Sequence, residues 1–496
     1  MGSGLAGLSA SVTAAKHGVK VAVFEKRPFQ GGGVSNTPMA TIVTKNQMEY
    51  QDKAFNIHMD AAKWNANPYV VRAWINNSSR IPEFIKDLGL DFLGVMENSL
   101  ETMGVQHPAF RGFPAYCYIG DFYLLKPRGK GHGAAMICLN AAKKLKELGG
   151  EIYFNTTIRS FIKKGNRVVG AIATEKGGEE VKISSKAFIV ASGGFSDNPE
   201  MIKKYTGHIY TNNKCDGDGD VLFNTHPNAQ LYGEGQQAVW KVGGAKGAMG
   251  INGHNLVPGP GIIGNNPWIV YNQTRTIQEQ PYLWVNQLGQ RFINEANAND
   301  HFAMGTAIAN QPTKRSYIIF DEATKRHMEN EGVEYIYIIF PAQKLDNVTK
   351  QFEELINVKR NNHAFMADSI EELCKQTGID YDGLSETLKK YNRYCEKGHD
   401  DDFSKNPAFL RPVKEPKFYA LRVFKGGYQA MGGIKINGNC EVLDKNFHAI
   451  KGLYAAGDCA AGEVWGDPPI GGIGHSGIAF SQGFIAADHA SEFIKK

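Results

Sequence analysis

Hydrophobic and polar positions alternate along this chain in blocks of two kinds. "LSASVTAAKHGVK" (8–20) is rich in Ala and other small residues and reads as a helix. "VKVAVFEK" (19–26) is a short apolar run that ends on Glu25, the pattern of a buried strand. From 51 to 100 the pattern is helical, as in "NPYVVRAWINNSSRIPEFIKDLGLDF". "RGFPAYCYIGDFYLLKPRGKGHGAAM" (111–136) has no period and reads as an aromatic loop. A helix, "GAAMICLNAAKKLKELGG", and a strand, "EIYFNTT", follow. "RVVGAIATE" and "VKISSKAFIVASGGFSDN" read as a hairpin and a further strand. Two later strands, "AFIVASGG" (187–194) and "GLYAAGDCAAGEVWG" (452–466), run into glycines, and a Gly-started helix closes the chain. Residues 260–415 differ in texture, with mixed strands such as "RSYIIFDEA" and charged helices such as "SIEELCKQTG" and "LSETLKKYNRYCEKG". The pattern predicts an α/β domain built from both chain ends, 1–258 and 416–496, with an α+β domain inserted over 259–415.

The opening glycines sharpen that picture. Gly2, Gly4 and Gly7 form G-x-G-x-x-G ahead of the first helix, and Glu25 lies 18 positions past Gly7. In a dinucleotide site such glycines make a tight turn, admit a pyrophosphate and let helix and strand pack closely. The helix N-terminus offers free N–H groups to the phosphates. The acidic residue that takes the ribose stands about 20 positions on. The strand expected ahead of Gly2 is missing, which predicts that the natural chain begins upstream. After Glu25, "KRPFQGGGVSNTPMA" (26–40) reads either as a loop closing on a ligand or as a plain turn.

Composition narrows the class. The 496 residues are 42% hydrophobic and 21% charged, ordinary for a globular protein. The net charge of +5 comes with no Lys/Arg run, which gives nucleic-acid binding no support. Cys117, Cys138, Cys215, Cys374, Cys395, Cys440 and Cys459 form no C-x-x-C and no C-x-x-C-H. No covalent haem and no ferredoxin-type cluster is therefore encoded, and reduced thiols in a cytoplasmic setting are expected. An upstream signal stays open. No metal site and no bilayer-spanning run are expected.

Nearly the whole chain resembles the flavoprotein family of fumarate reductase and succinate dehydrogenase, with its soluble relatives and the ketosteroid dehydrogenases. The motifs that carry the resemblance are "GSGLAG…VFEK" (2–26), "GGGVSN" (31–36), "ASGGFSDN" (191–198) and "YGEGQQAVWKVGGA" (232–245). "GQRFINE" (289–295), "YQAMGGI" (428–434), "GLYAAGDCAAG" (452–462) and "IGGIGHSGIAF" (470–480) complete them. The resemblance implies a Rossmann-like FAD-binding domain with a capping domain. Gly2, Gly4, Leu5, Ala6 and Gly7 would cradle the pyrophosphate, with Glu25 and Lys26 at the adenosine ribose. Gly32, Gly33, Ser35 and Asn36 would line the pyrophosphate and isoalloxazine. Thr157 and Ile158 would lie near the adenine, and Ala191, Ser192 and Gly193 along the cofactor. Gly457 and Asp458 would meet the ribityl chain. The helix start at Gly472, Ile473 and Gly474 would face the flavin pyrimidine. The loop 31–40 has no His, so FAD is expected to be non-covalent.

Three positions depart from the fumarate-reducing pattern. Asn299 stands where that branch has an Arg acid, Gln429 where it has a substrate-binding His, and Asp467 near its dicarboxylate-clamping Arg. Binding a dicarboxylate without those partners would be strongly disfavoured. The expected function is therefore an FAD enzyme that reduces or introduces a C=C next to a carbonyl or carboxylate, fumarate itself excepted. A 3-ketosteroid-type dehydrogenase and a non-catalytic electron-transfer subunit are the alternatives. Candidate acid/base and polarising groups are Tyr428, His301, Asp300, Arg422 and Gln429. For Arg422, an ordinary structural role is the stronger reading. The stretch 113–133 predicts either a wall for an aromatic or polycyclic substrate or an interdomain contact. The electron donor or acceptor is expected to be external.

Overall fold

The computed structural model describes all residues except 33–34, 36–39, 97–120, 126–132, 208, 212–220, 225–228, 255–271, 299–300, 336–343, 358–362, 425 and 467–474. The fold is mixed α/β. Near the N-terminus, strand Ala22–Phe24 pairs in parallel with Glu151–Tyr153. On the other side, Phe188–Val190 pairs in parallel with Ala449–Ala455. Met1 and Gly2 sit between these two pairs. The Met1 amine donates to the Ile189 carbonyl at 2.9 Å. Ala191 N–H donates to the Met1 carbonyl, and Gly2 N–H to that of Phe24, both at 2.8 Å. Through these three backbone bonds Met1 and Gly2 bridge the two strand pairs.

The first helix, Leu5–Lys16, is buried over Leu5–Ala15. It packs against the C-terminal helix, His475–Lys495, and against Gly133–Glu147. A helix covered on several sides needs small residues rather than one apolar stripe, which explains its Ala- and Ser-rich sequence. A six-stranded sheet continues the layer, with the Thr156–Lys164/Arg167–Glu175 hairpin at one edge.

Four strands between 283 and 424 build a separate antiparallel sheet. Its order is Leu283–Val285, Arg315–Asp321, Phe418–Phe424 and Ala364–Ala367. Its charged helices run over Ile370–Thr377 and Tyr381–Lys397, where the sequence placed them. Ser369 and Asp380 cap their N-termini by accepting from Glu372 N–H and Gly383 N–H. Phe418–Phe424 belongs to this sheet although it follows the expected return point at 416. Directly beyond it, Gly426–Ile434 joins another sheet, beside Lys246–His254.

Two local expectations change. The helical reading of 51–100 holds for Met48–Ala61, Pro68–Ser78 and Ile81–Asp87, but Phe92–Met96 is a strand. The supposed loop 111–136 contains strand Asp121–Leu125, which pairs with both Phe92–Met96 and Ala40–Val43. Each of these strands is four or five residues long. Runs that short show no period of their own and are fixed by their partners. The rest of 113–133, bar Gly133 at its end, lies outside the described residues.

Candidate functional site

Glu25 ends its strand as a buried side chain held by three donors. Its Oε2 accepts from Ser3 N–H at 2.9 Å and from the Ser3 hydroxyl at 2.8 Å. Its Oε1 accepts from Arg27 N–H at 3.0 Å. Ser3 lies inside the glycine motif, so the carboxylate ties strand end and glycine turn together. Gly2 has φ +95°, and a Cβ there would stand 2.3 Å from the Ala191 carbonyl oxygen. A side chain is excluded on both counts. Gly4, at the N-cap of the helix that follows, has no side chain with which to cap it. The Ser35 hydroxyl accepts from Leu5 N–H at 3.1 Å and closes over that end.

These residues line an open cleft. Gly2, Gly4, Glu25, Lys26, Gly32, Ser35, Thr157, Ile158, Ala191, Ser192, Gly193 and Asp458 all border it. Leu5, Ala6 and Gly7 form the helix turn directly behind. Gly457 stands next to Asp458, its N–H bonded to Gln482 Oε1 at 2.8 Å, so the C-terminal helix fixes that turn. Residues 190 or more positions apart in sequence therefore meet in one cleft.

Sequence reasoning missed Ser3, Arg27, Gln230, Leu231 and Glu234, which also line it. Lys26 Nζ pairs with Glu234 at 2.8 Å and lies 5.0 Å from the Tyr232 ring. Glu234 opens a helix, Glu234–Lys241, inside the motif "YGEGQQ". That motif was its only signal. The Arg27 guanidinium bonds to the Gly31 carbonyl and sits 3.6 Å from Glu25.

The remaining candidates divide. Tyr428 and Gln429 lie on strand Gly426–Ile434, where Gln429 faces Asn252 across the sheet. His301 begins helix His301–Ala309. Asp300, Gly33, Asn36, Gly472, Ile473 and Gly474 lie outside the described residues. Arg422 does not join the cleft. Its guanidinium donates to the Thr377 carbonyl at 3.0 Å and stacks over Tyr317 and Phe365. Its own carbonyl accepts from His363 Nδ1 at 2.8 Å.

The cleft fits a dinucleotide chemically. Free N–H groups at a helix start suit a pyrophosphate, and a strand-end carboxylate suits ribose hydroxyls. The family model for the FAD binding domain matches residues 1–474.

The chain is a member of the FAD binding domain family.

This flavoprotein is 28% identical to a vinyl phenol reductase of Lactiplantibacillus plantarum, over 99% of this chain and 96% of that protein. It is 28% identical to a cytochrome-type fumarate reductase of Shewanella frigidimarina, over 100% of this chain and 77% of that one. Among solved structures it resembles a 3-ketosteroid-Δ4-(5α)-dehydrogenase of Rhodococcus jostii. The TM-score is 0.69 at 19% identity, over 100% of this chain and 95% of that one. That likeness is one of fold.

Proposed function

We propose that this flavoprotein transfers a hydride to, or in reverse from, a C=C bond conjugated to a carbonyl, a carboxylate or a phenol ring. One observation carries the reading. The dinucleotide cleft is assembled from both chain ends, in a chain that matches a vinyl phenol reductase over nearly its whole length. Bound FAD would supply the hydride from N5. Glu25, the Gly2–Gly7 turn and Asp458 would hold it without a covalent bond.

This chain's side chains would do the rest. Tyr428 is the proposed proton donor to the carbon next to the one that takes the hydride, with His301 and Asp300, which follow Asn299 in the sequence, as the alternatives. Gln429 would hold the polar end of the substrate. Arg422 contributes through the inserted domain, whose strand–helix packing it supports. The proposed division of labour gives FAD to 1–258 and 416–496 and substrate cover to 259–415, extended through Phe424. Asn299, Gln429 and Asp467 lack the charges a dicarboxylate needs, so a monocarboxylate, enone or aromatic alkene is favoured over fumarate.

The test is anaerobic. The flavin is photoreduced, and its absorbance near about 450 nm is followed after addition of 4-vinylphenol, an aryl acrylate, a cyclic enone or fumarate. Rapid reoxidation by one of the first three, with none by fumarate, is expected. Tyr428→Phe should slow reoxidation by about 100-fold or more with the flavin still bound. Reoxidation by fumarate alone would overturn the substrate reading. A steroid dehydrogenase would instead reduce its flavin with a saturated ketosteroid, and an electron-transfer subunit would respond to no organic substrate.

A further inference from the structure

One face of the molecule carries lysines that the proposed chemistry does not use. Helix Pro199–Thr206 ends in Lys203, Lys204 and Tyr205, and helix Glu234–Lys241 ends in Trp240 and Lys241. The two aromatic rings meet edge to face at 5.6 Å. Lys246 Nζ lies 5.0 Å from the Tyr205 ring and 5.1 Å from that of Trp240. Lys204 Nζ lies 5.4 Å from Tyr205. Lys163 reaches the same edge, where it donates to the Val242 carbonyl at 3.2 Å. Lys203, Lys204, Lys241 and Lys246 are exposed. None of these five lysines is ion-paired among the described residues. Of the two carboxylates on these helices, Glu234 is taken by Lys26, which leaves Glu200.

The face backs directly onto the proposed reaction strand. Trp240 Nε1 donates to the Gly433 carbonyl at 2.7 Å. Gln236, one turn earlier on the same helix, donates to Gly193 at 3.1 Å and Gly432 at 3.2 Å. Gly193 lines the FAD cleft, and Gly432 and Gly433 share a strand with Tyr428. The helix runs about 10 Å, at about 1.5 Å per residue, from the cleft residue Glu234 to Lys241.

We propose that this lysine-and-aromatic face docks an acidic electron-donor protein that reduces the flavin. The inference rests on the flavin reading above. The sequence has no C-x-x-C-H and no C-x-x-C, so electrons must come from a group these residues do not encode. Paired aromatic rings ringed by cations suit a protein partner: aromatic anchors supply contact area, and opposite charge steers the encounter. Redox encounters are small and transient, and two short helices and two strand ends provide a face of that size. A membrane surface would call for a longer basic run than this chain has. Each flavin takes two electrons and one proton. Two donor molecules, each oxidised by one electron, supply the former, and solvent supplies the latter.

The test uses the FAD-loaded protein in anaerobic stopped flow. Fully reduced acidic flavodoxin is the protein probe, and methyl viologen radical is the small donor that needs no docking. Lys204→Glu combined with Lys246→Glu should slow reduction by flavodoxin about tenfold or more, and Lys204→Gln with Lys246→Gln by less. Added salt should slow the unaltered protein, because exposed charges are screened beyond about 8 Å at physiological ionic strength. Reduction by methyl viologen, and the exposed control Lys389→Glu with flavodoxin, should not change. Circular dichroism confirms that the variants are folded. Equal flavodoxin rates in all proteins overturn the proposal, as does a protein that methyl viologen reduces and flavodoxin does not. Salt-sensitive binding to phosphatidylglycerol vesicles, lost in the double Glu variant with flavodoxin rates unchanged, would assign the face to a lipid surface and equally overturn it. If methyl viologen also fails, the flavin reading itself has failed.

Discussion

At Gly7 the site tolerates no atom beyond hydrogen. A Cβ there would lie 2.0 Å from the Gly2 carbonyl oxygen, a backbone atom that cannot swing aside. Gly7→Ala should therefore open the glycine turn, cost about 1–3 kcal/mol by overpacking, and yield protein largely free of flavin. Gly177→Ala meets nothing within 4 Å and should leave both melting temperature and flavin content unchanged. Flavin absorbance per protein and thermal unfolding of the two variants check this. Gly7 and Glu25 were legible because their spacing is set by the ligand's dimensions. The Ser3 hydroxyl and the Glu234–Lys26 pair were not, because a serine or glutamate signals nothing until its partner is in place.

The elements between 283 and 424 are locked by a buried charge cluster. Arg291, 4% exposed, makes paired bonds to Glu295 and to Asp400, both fully buried. Lys405, also fully buried, approaches Glu295 at 3.4 Å. Burial by itself raises the Asp400 carboxyl, but the Arg291 bonds outweigh it and bring it down to about 2. Asp400 also accepts from the N–H groups of Asp402, Phe403 and Lys405, so it pins the loop after Tyr381–Lys397 to the "GQRFINE" turn. Asp400→Asn leaves a buried guanidinium short of its partner and should destabilise by about 3–5 kcal/mol. Chemical denaturation monitored by Trp284, which lies in this domain's core, should show it. FAD affinity should hold, since none of these residues borders the cleft. The two charged helices here were legible from their run of charged, helix-forming residues. Strand Asp121–Leu125 was not, because its aromatic run gains meaning only between its two neighbours.

Across the whole molecule, two buried histidines set the response to acid. His58 is packed against Trp74 and Trp465 and bonds to the Val464 carbonyl at 2.7 Å. His363 bonds to the Arg422 carbonyl at 2.8 Å in the inserted domain. Burial lowers each from 6.5 to about 4. Between those values the unfolded chain binds the extra protons, so stability is full above pH 6.5 and is lost as pH falls toward 4. The slope is about 1.4 kcal/mol per pH unit for each ring. Melting temperature should fall steadily over that window. His58→Gln, which keeps a donor for Val464, should be less stable at neutral pH but show a shallower acid slope. An unchanged slope would show that carboxylates govern the acid response.

The sequence by itself determined the dinucleotide signature, the alternation of small-residue helix and buried strand, the changed texture of the middle, and the resemblance to flavin enzymes. Each of these is written in local spacing, because backbone geometry and ligand size fix how far apart the residues must stand. Only the tertiary structure decided what meets across the chain. It set Met1 and Gly2 between two strand pairs and brought Asp458 to Glu25's cleft. It bonded Arg422 to Thr377 and gathered lysines from four elements onto one face. Contacts between residues hundreds of positions apart depend on how whole sheets pack, and no local pattern carries that information.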